Sequence, residues 1–133
     1  MTNISANQWD LANFQIKDDH IMVVKPINGI TKITFPAPKL MSWYDALFYS
    51  YSIKNCGCWK IPTIEELQTV FKIYGLVSIN NPLWSKPKTP VWSLNTESLT
   101  DPCAEALDFN TGKPLPTNPD KNSQLEVICV SYC

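Results

Sequence analysis

Eleven prolines against four glycines punctuate the chain, whereas average usage runs the other way, at roughly 5% proline and 7% glycine. Proline lacks a backbone donor and pushes the residue before it out of the helical region. Long helices and wide regular sheets are therefore not expected, and much of the backbone is expected to run as ordered loop.

The 133 residues, 44% hydrophobic and with a net charge of −1, suit one globular domain, 1–133. A chain of this size buries roughly two-thirds of its unfolded surface and needs neither metal nor disulfide to fold. All 11 basic residues are lysines, so the planar guanidinium fork that grips phosphate or guanine is absent. Near-neutral charge without arginine argues against nucleic-acid binding. The first 20 residues lack a basic region followed by an apolar run, as a secretory signal requires, and no apolar stretch is long enough to span a bilayer. A cytoplasmic protein without membrane insertion is expected, the alternative being export by another route.

Five cysteines, Cys56, Cys58, Cys103, Cys129 and Cys133, are an odd number, which favours a reducing compartment. Cys56-x-Cys58 and Cys129-x-x-x-Cys133 suggest two zinc-ligand pairs. A one-residue spacer, however, is shorter than structural zinc knuckles use. Buried free thiols are the preferred reading, and no metal or cofactor is expected.

Residues 1–39 read as a hairpin extension, with strands Ile21–Lys25 and Thr31–Phe35 around Pro26-Ile27-Asn28-Gly29. Ser42 caps a first helix running to about Ile53, with Trp43, Ala46, Leu47 and Ser50 on one face. A short extended piece, Cys58 to Ile61, stops at Pro62. Thr63-Ile64-Glu65-Glu66 is a capping box for a second helix reaching about Tyr74, with Gly75 as its C-cap and Leu67, Val70, Phe71 and Tyr74 as its buried stripe. A proline- and asparagine-rich loop, Ser78 to Pro90, leads to strand-like segments at Val91–Leu94, Glu105–Phe109 and Leu125–Ser131, with Asn110-Thr111-Gly112 as a turn. That order is α+β: two helices against a small antiparallel sheet with a long irregular loop region.

Trp43-x-x-Ala46, Trp59-Lys60-Ile61-Pro62-Thr63-x-x-Glu66-Leu67, Val91-Trp92-Ser93, Leu107-Asp108-Phe109-x-x-Gly112 and Val127-x-Cys129-Val130 follow one another in this order. The series resembles the Lcl C-terminal domain family, a bacterial domain of unknown function with a C-type-lectin-like fold, over residues 40–133. The family's arginines are replaced here by Lys60, Ile128 and Ser131. A family cysteine on the first helix, often the disulfide partner of the one near the C-terminus, falls near Ser50 or Tyr51, which leaves Cys129 without that mate. The resemblance implies a scaffold role for Trp43, Ala46, Trp59, Pro62, Thr63, Glu66, Leu67, Trp92, Ser93, Phe109, Gly112 and Cys129. Calcium-dependent sugar binding is not expected, because Asn80-Asn81-Pro82 and Trp92-Ser93-Leu94-Asn95 lack the carboxylates of a hard-cation site.

No catalytic constellation is legible. His20 has no nucleophile in a recognisable motif, and Glu65 and Glu66 are explained by a helix's first turn, where negative charge suits the dipole. The expectation is a non-enzymatic module acting through protein–protein interaction, such as an intracellular inhibitor, an immunity-type protein or a delivered bacterial or phage factor. The alternative is an exported adhesin-like module binding glycan or a host surface. The expected docking site is the proline-rich loop, with Trp84 as anchor and Lys86, Pro87 and Lys88 as a positive rim for an acidic partner surface, the alternative being that Trp84 folds inward over the second helix.

Overall fold

The computed structural model describes residues 8–53, 58–78 and 86–133. Among these the fold is α+β, with two α-helices and two antiparallel sheets. A 3-10 turn, Leu11–Asn13, leads into β1 (Phe14–Ile16), and then come β2 (His20–Ile27) and β3 (Ile30–Thr34). The helix α1 (Trp43–Ser52), the strand β4 (Trp59–Lys60) and the helix α2 (Ile64–Ser78) follow. The chain ends with β5 (Val91–Trp92), β6 (Ala106–Asp108), β7 (Lys113–Pro114) and β8 (Val130–Ser131). One sheet has the order β1-β2-β3-β8-β4, and the other has the order β5-β6-β7.

The hairpin turn is tighter than expected. β2 runs on through Pro26 to Ile27, so the turn is only Asn28-Gly29, both with positive φ (51° and 83°), as a two-residue hairpin turn demands. The ladder tolerates Pro26 because its register shifts between Met22 and Ile27, where a missing donor costs no regular bond.

Both helix starts follow their caps. Ser42 Oγ accepts the Asp45 amide at 3.1 Å. Glu66 N–H donates to Thr63 Oγ1 at 3.2 Å, and Thr63 N–H donates to Glu66 Oε1 at 2.8 Å, completing the capping box. Asn95 Oδ1 takes a third orphan amide, that of Ile64, at 2.8 Å.

The far end of α2 departs from expectation. Gly75 lies inside the helix, which continues to Ser78, because Val77 extends the buried stripe of Leu67, Val70, Ile73 and Tyr74. Burying that valine, at roughly 1.5–3 kcal/mol, outweighs the ~1 kcal/mol that an internal glycine costs. Phe71 is only half-buried. Its ring instead meets Phe109 edge-on at 5.7 Å and lies against Gly112.

The expected strand at residues 125–131 is regular only at Val130–Ser131. Before it the chain makes single bridges, Leu125 with Met41 and Glu126 with Val91. The core has two parts. One packs α2 against the five-stranded sheet through Ile21, Ile33, Leu67, Ile73 and Val130. The other gathers α1 and the tryptophans Trp43, Trp59 and Trp92 with Ala46, Val127 and Cys129. Trp43 Nε1–H donates to Ser93 O at 2.8 Å, and Trp92 Nε1–H donates to Met41 O at 2.9 Å, so both buried indoles are satisfied. No described helix is long and apolar enough to cross a membrane.

Candidate partner-binding surface

The scaffold residues expected from the sequence lie in or beside the core. Trp43, Ala46, Trp59, Leu67, Trp92, Ser93, Phe109 and Cys129 are buried, as are Pro62 and Glu66. Glu66 Oε1 also pairs with Lys60 Nζ at 3.2 Å. Gly112, with φ +74°, receives the turn after β6, and its N–H donates to Asp108 O at 2.8 Å.

The expected docking rim divides. Trp84 lies outside the described residues. Lys86 and Lys88 are exposed, but Pro87 between them is buried and presents nothing to a partner. Lys86 lines a cleft of about 370 Å³ together with Phe71, Lys72, Tyr74, Gly75 and Ser78. His20 donates from Nδ1 to Asp19 Oδ1 at 2.7 Å and sets its ring edge-on to Trp59.

The side of α1 expected in the core is there, with Leu47 half-buried at its border; the opposite side was not assigned from the sequence. Its inner face carries Trp43, Ala46 and Ser50. Its outer face carries Tyr44, Phe48 and Tyr51, exposed by 40%, 74% and 83%. Their spacing, i, i+4 and i+7, stacks them along one side of the helix. A ten-residue segment with ring or apolar positions on both sides carried this signal, and it was hidden because one amphipathic stripe was enough to explain the helix.

The upper end of the stripe is held by a buried cation. Lys121 is fully buried, with Nζ 4.4 Å from the Trp43 ring centroid and 5.9 Å from that of Tyr44. The ammonium donates to Ser98 O at 3.0 Å and Leu99 O at 3.4 Å. Two carbonyls and an aromatic face thus take the place of a carboxylate in satisfying a desolvated charge. The same clamp fixes the 98–99 loop beside Tyr44, and the Leu99 side chain is 77% exposed there.

The cysteines separate into distinct environments. Cys129 sits in the second core, its thiol pushed up to about 12 by burial. It faces α1, where the Tyr49 hydroxyl is raised by burial and by the Cys129 charge. Cys58 and Cys133 are exposed, and Cys103 is half-buried; Cys56 lies outside the described residues. Among the described residues no group of three or more His, Cys, Asp or Glu side chains is arranged to hold a metal ion. Comparison with protein-family models and with curated proteins returned no match.

Proposed function

We propose that the chain is a non-enzymatic binding module that recognises another protein through the outer face of α1, displayed on a C-type-lectin-like scaffold. The single observation that carries this reading is the aromatic stripe of Tyr44, Phe48 and Tyr51. Three rings on one helix side are costly to leave in water, and contiguous exposed apolar surface on a small domain marks an interaction site. Anchors at i, i+4 and i+7 suit a partner that offers an apolar groove to a helix. Tyrosines at both ends supply large contact area with few rotatable bonds and a polar tip for the rim. Asp45 is the only charged residue of α1, so the groove needs little charge of its own. The lectin-like part of the reading is supported by the motif order and by Cys129 facing α1, where relatives of the resembled family place its mate.

Site-specific photo-crosslinking in the native host tests this. A benzoyl-phenylalanine in place of Phe48 or Tyr51 is expected to capture one discrete protein, and the same group in place of Lys17, on the β1–β2 side, is expected not to. The proposal fails if the two positions capture the same set, if no protein is captured from α1, or if the adduct is a glycan.

A further inference from the structure

A second feature, independent of the aromatic stripe, lies at the β4 edge of the five-stranded sheet. β4 and β8 pair antiparallel with Trp59 opposite Ser131, so Cys58 and Cys133 leave the ladder at the same end. The Cys58 N–H donates to Cys133 Sγ at 3.2 Å, and the two thiols share a hydrogen bond. Both residues are exposed.

The backbone around them is pinned. Thr31 Oγ1 donates to Cys133 O at 2.7 Å and to Ser131 O at 3.1 Å, and Cys133 N–H donates to Ser131 Oγ. Tyr132, between these residues, is held by Lys60 Nζ at 4.7 Å from its ring. The Cys133 sulfur thus lies at the Cys58 backbone, brought there by a separate strand whose end is tied down.

We propose that Cys58 and Cys133 form a dithiol site that reacts with low-molecular-weight disulfides and ends as a disulfide bond joining β4 to β8. Their environments assign the roles. Cys133 is lowered from the ordinary thiol range by the Cys58 thiol hydrogen bond and then by the Cys58 N–H; burial opposes these, and the Ser131 hydroxyl and the Lys32 ammonium add lesser lowering effects. Cys58 is raised, chiefly by the same shared hydrogen bond. Cys133 is therefore the attacking thiolate and Cys58 the resolving thiol.

In the first step the Cys133 thiolate attacks one sulfur of the small disulfide. That S–S bond breaks, one small thiolate leaves and takes up a proton, and a mixed disulfide remains on Cys133. In the second step Cys58 gives its proton to solvent and its sulfur attacks the Cys133 sulfur, forming the 58–133 bond and expelling the second small thiol. The protein loses two hydrogens and two electrons, and the disulfide is reduced to two thiols. The product links two strands of two residues each, so oxidation locks an edge pairing of only two residue pairs.

The test uses the reduced full chain with glutathione disulfide as probe, acid quenching, alkylation of remaining thiols, and intact and peptide mass spectrometry. The expected product lacks two hydrogens and yields a 58–133 cross-linked peptide, formed at least about tenfold faster than any adduct on Cys103 or Cys129. In Cys58→Ser the reaction is expected to stop at one glutathione on Cys133. A first adduct on another cysteine, a cross-link from Cys133 to Cys56, or no cross-link in the unsubstituted chain would each overturn the proposal. The unsubstituted chain decides the matter even if the variant fails to fold.

Discussion

The capping box at the start of α2 is the most exposed test of how the sequence sets the fold, because two side chains share one job and can be separated. Thr63→Ala removes the Oγ1 that accepts the Glu66 amide, and loss of such a cap costs about 1 kcal/mol. Glu66→Ala removes more. Its Oε1 accepts the Thr63 N–H at 2.8 Å and pairs with Lys60 at 3.2 Å, from a side chain only 10% exposed. A charge-assisted bond of this kind contributes about 1.5–3 kcal/mol, and the ion pair, with Lys60 36% exposed, adds less than about 1 kcal/mol. Glu66→Gln keeps an oxygen for the Thr63 amide but makes that bond neutral and loses the ion pair, so about 1–1.5 kcal/mol is at stake.

For 133 residues at about 2.1 cal/mol/K each, the unfolding entropy is about 0.28 kcal/mol/K, so 1 kcal/mol moves Tm by about 3.5 °C. Calorimetry is expected to show losses of about 3.5 °C for Thr63→Ala, about 7 °C for Glu66→Ala and about 4 °C for Glu66→Gln. If Glu66→Gln were as damaging as Glu66→Ala, the stabilisation would reside in the ion pair with Lys60, and the capping account would be wrong.

Two glycines should respond with opposite signs. Gly75→Ala places a Cβ in open space inside α2 and is expected to raise stability by about 1 kcal/mol. Gly112→Ala, at φ +74° with the Phe71 ring 2.6 Å from the new Cβ, is expected to lower it by about 1–3 kcal/mol; chemical denaturation reads both. Alkaline titration should unfold the chain. Tyr74 is raised well above 10 by burial and then by the Glu126 charge, and Cys129 is raised from 9 to about 12 by burial. Both groups keep their protons in the fold while the unfolded chain releases them. The stability they protect is therefore whole below about pH 9 and falls as pH rises through the window from 9 to about 12 for Cys129, and above 10 for Tyr74, by up to about 1.4 kcal/mol per pH unit per group; a denaturation midpoint constant from pH 8 to 11 would contradict this. Phe48→Ser and Tyr51→Ser are expected to leave Tm within about 2 °C, as exposed substitutions do, and a loss beyond 5 °C would show that the stripe supports the fold.

What the sequence made legible was local and chemical. Ser42 and Thr63 cap because their hydroxyls reach amides three residues on, and such geometry is written in neighbouring residues. Asn28-Gly29 turns because both residues tolerate positive φ. The misreadings came where a tertiary contact outweighed a local rule. Gly75 looked like a helix end, and burial of Val77 carried the helix past it. β1 and β7, with three and two residues, are too short to show a period and exist because β2 and β6 offer them edges. Nothing local marks Lys121, whose burial depends on Trp43 and the 98–99 carbonyls, distant in sequence, folding around it. Cys56-x-Cys58 and Cys129-x-x-x-Cys133 suggested pairs along the chain, whereas the structure joins Cys58 to Cys133 across strands.

The second tryptophan-rich core explains why α1 can spend an aromatic face on solvent. Its inner side presents Trp43 at one end and the small residues Ala46 and Ser50 beyond it, and Leu47 and Tyr49 pack on the same core from its flanks. Phe48 and Tyr51 are left to solvent, while Tyr44 rests edge-on against the Trp43 ring and stays 40% exposed. A stripe so placed, on a helix fixed by a cap at Ser42 and by the Trp43 indole bond to Ser93 O, is preorganised. The ordering cost of presenting those rings is met by folding rather than by association. The Lys121 clamp extends that rigidity to the neighbouring loop by tying the carbonyls of Ser98 and Leu99 to the ammonium over the Trp43 ring. A partner of the kind proposed would therefore meet a surface already in its bound shape, and loosening the clamp with Lys121→Ala should then weaken its binding even though the buried Lys121 does not itself reach the surface.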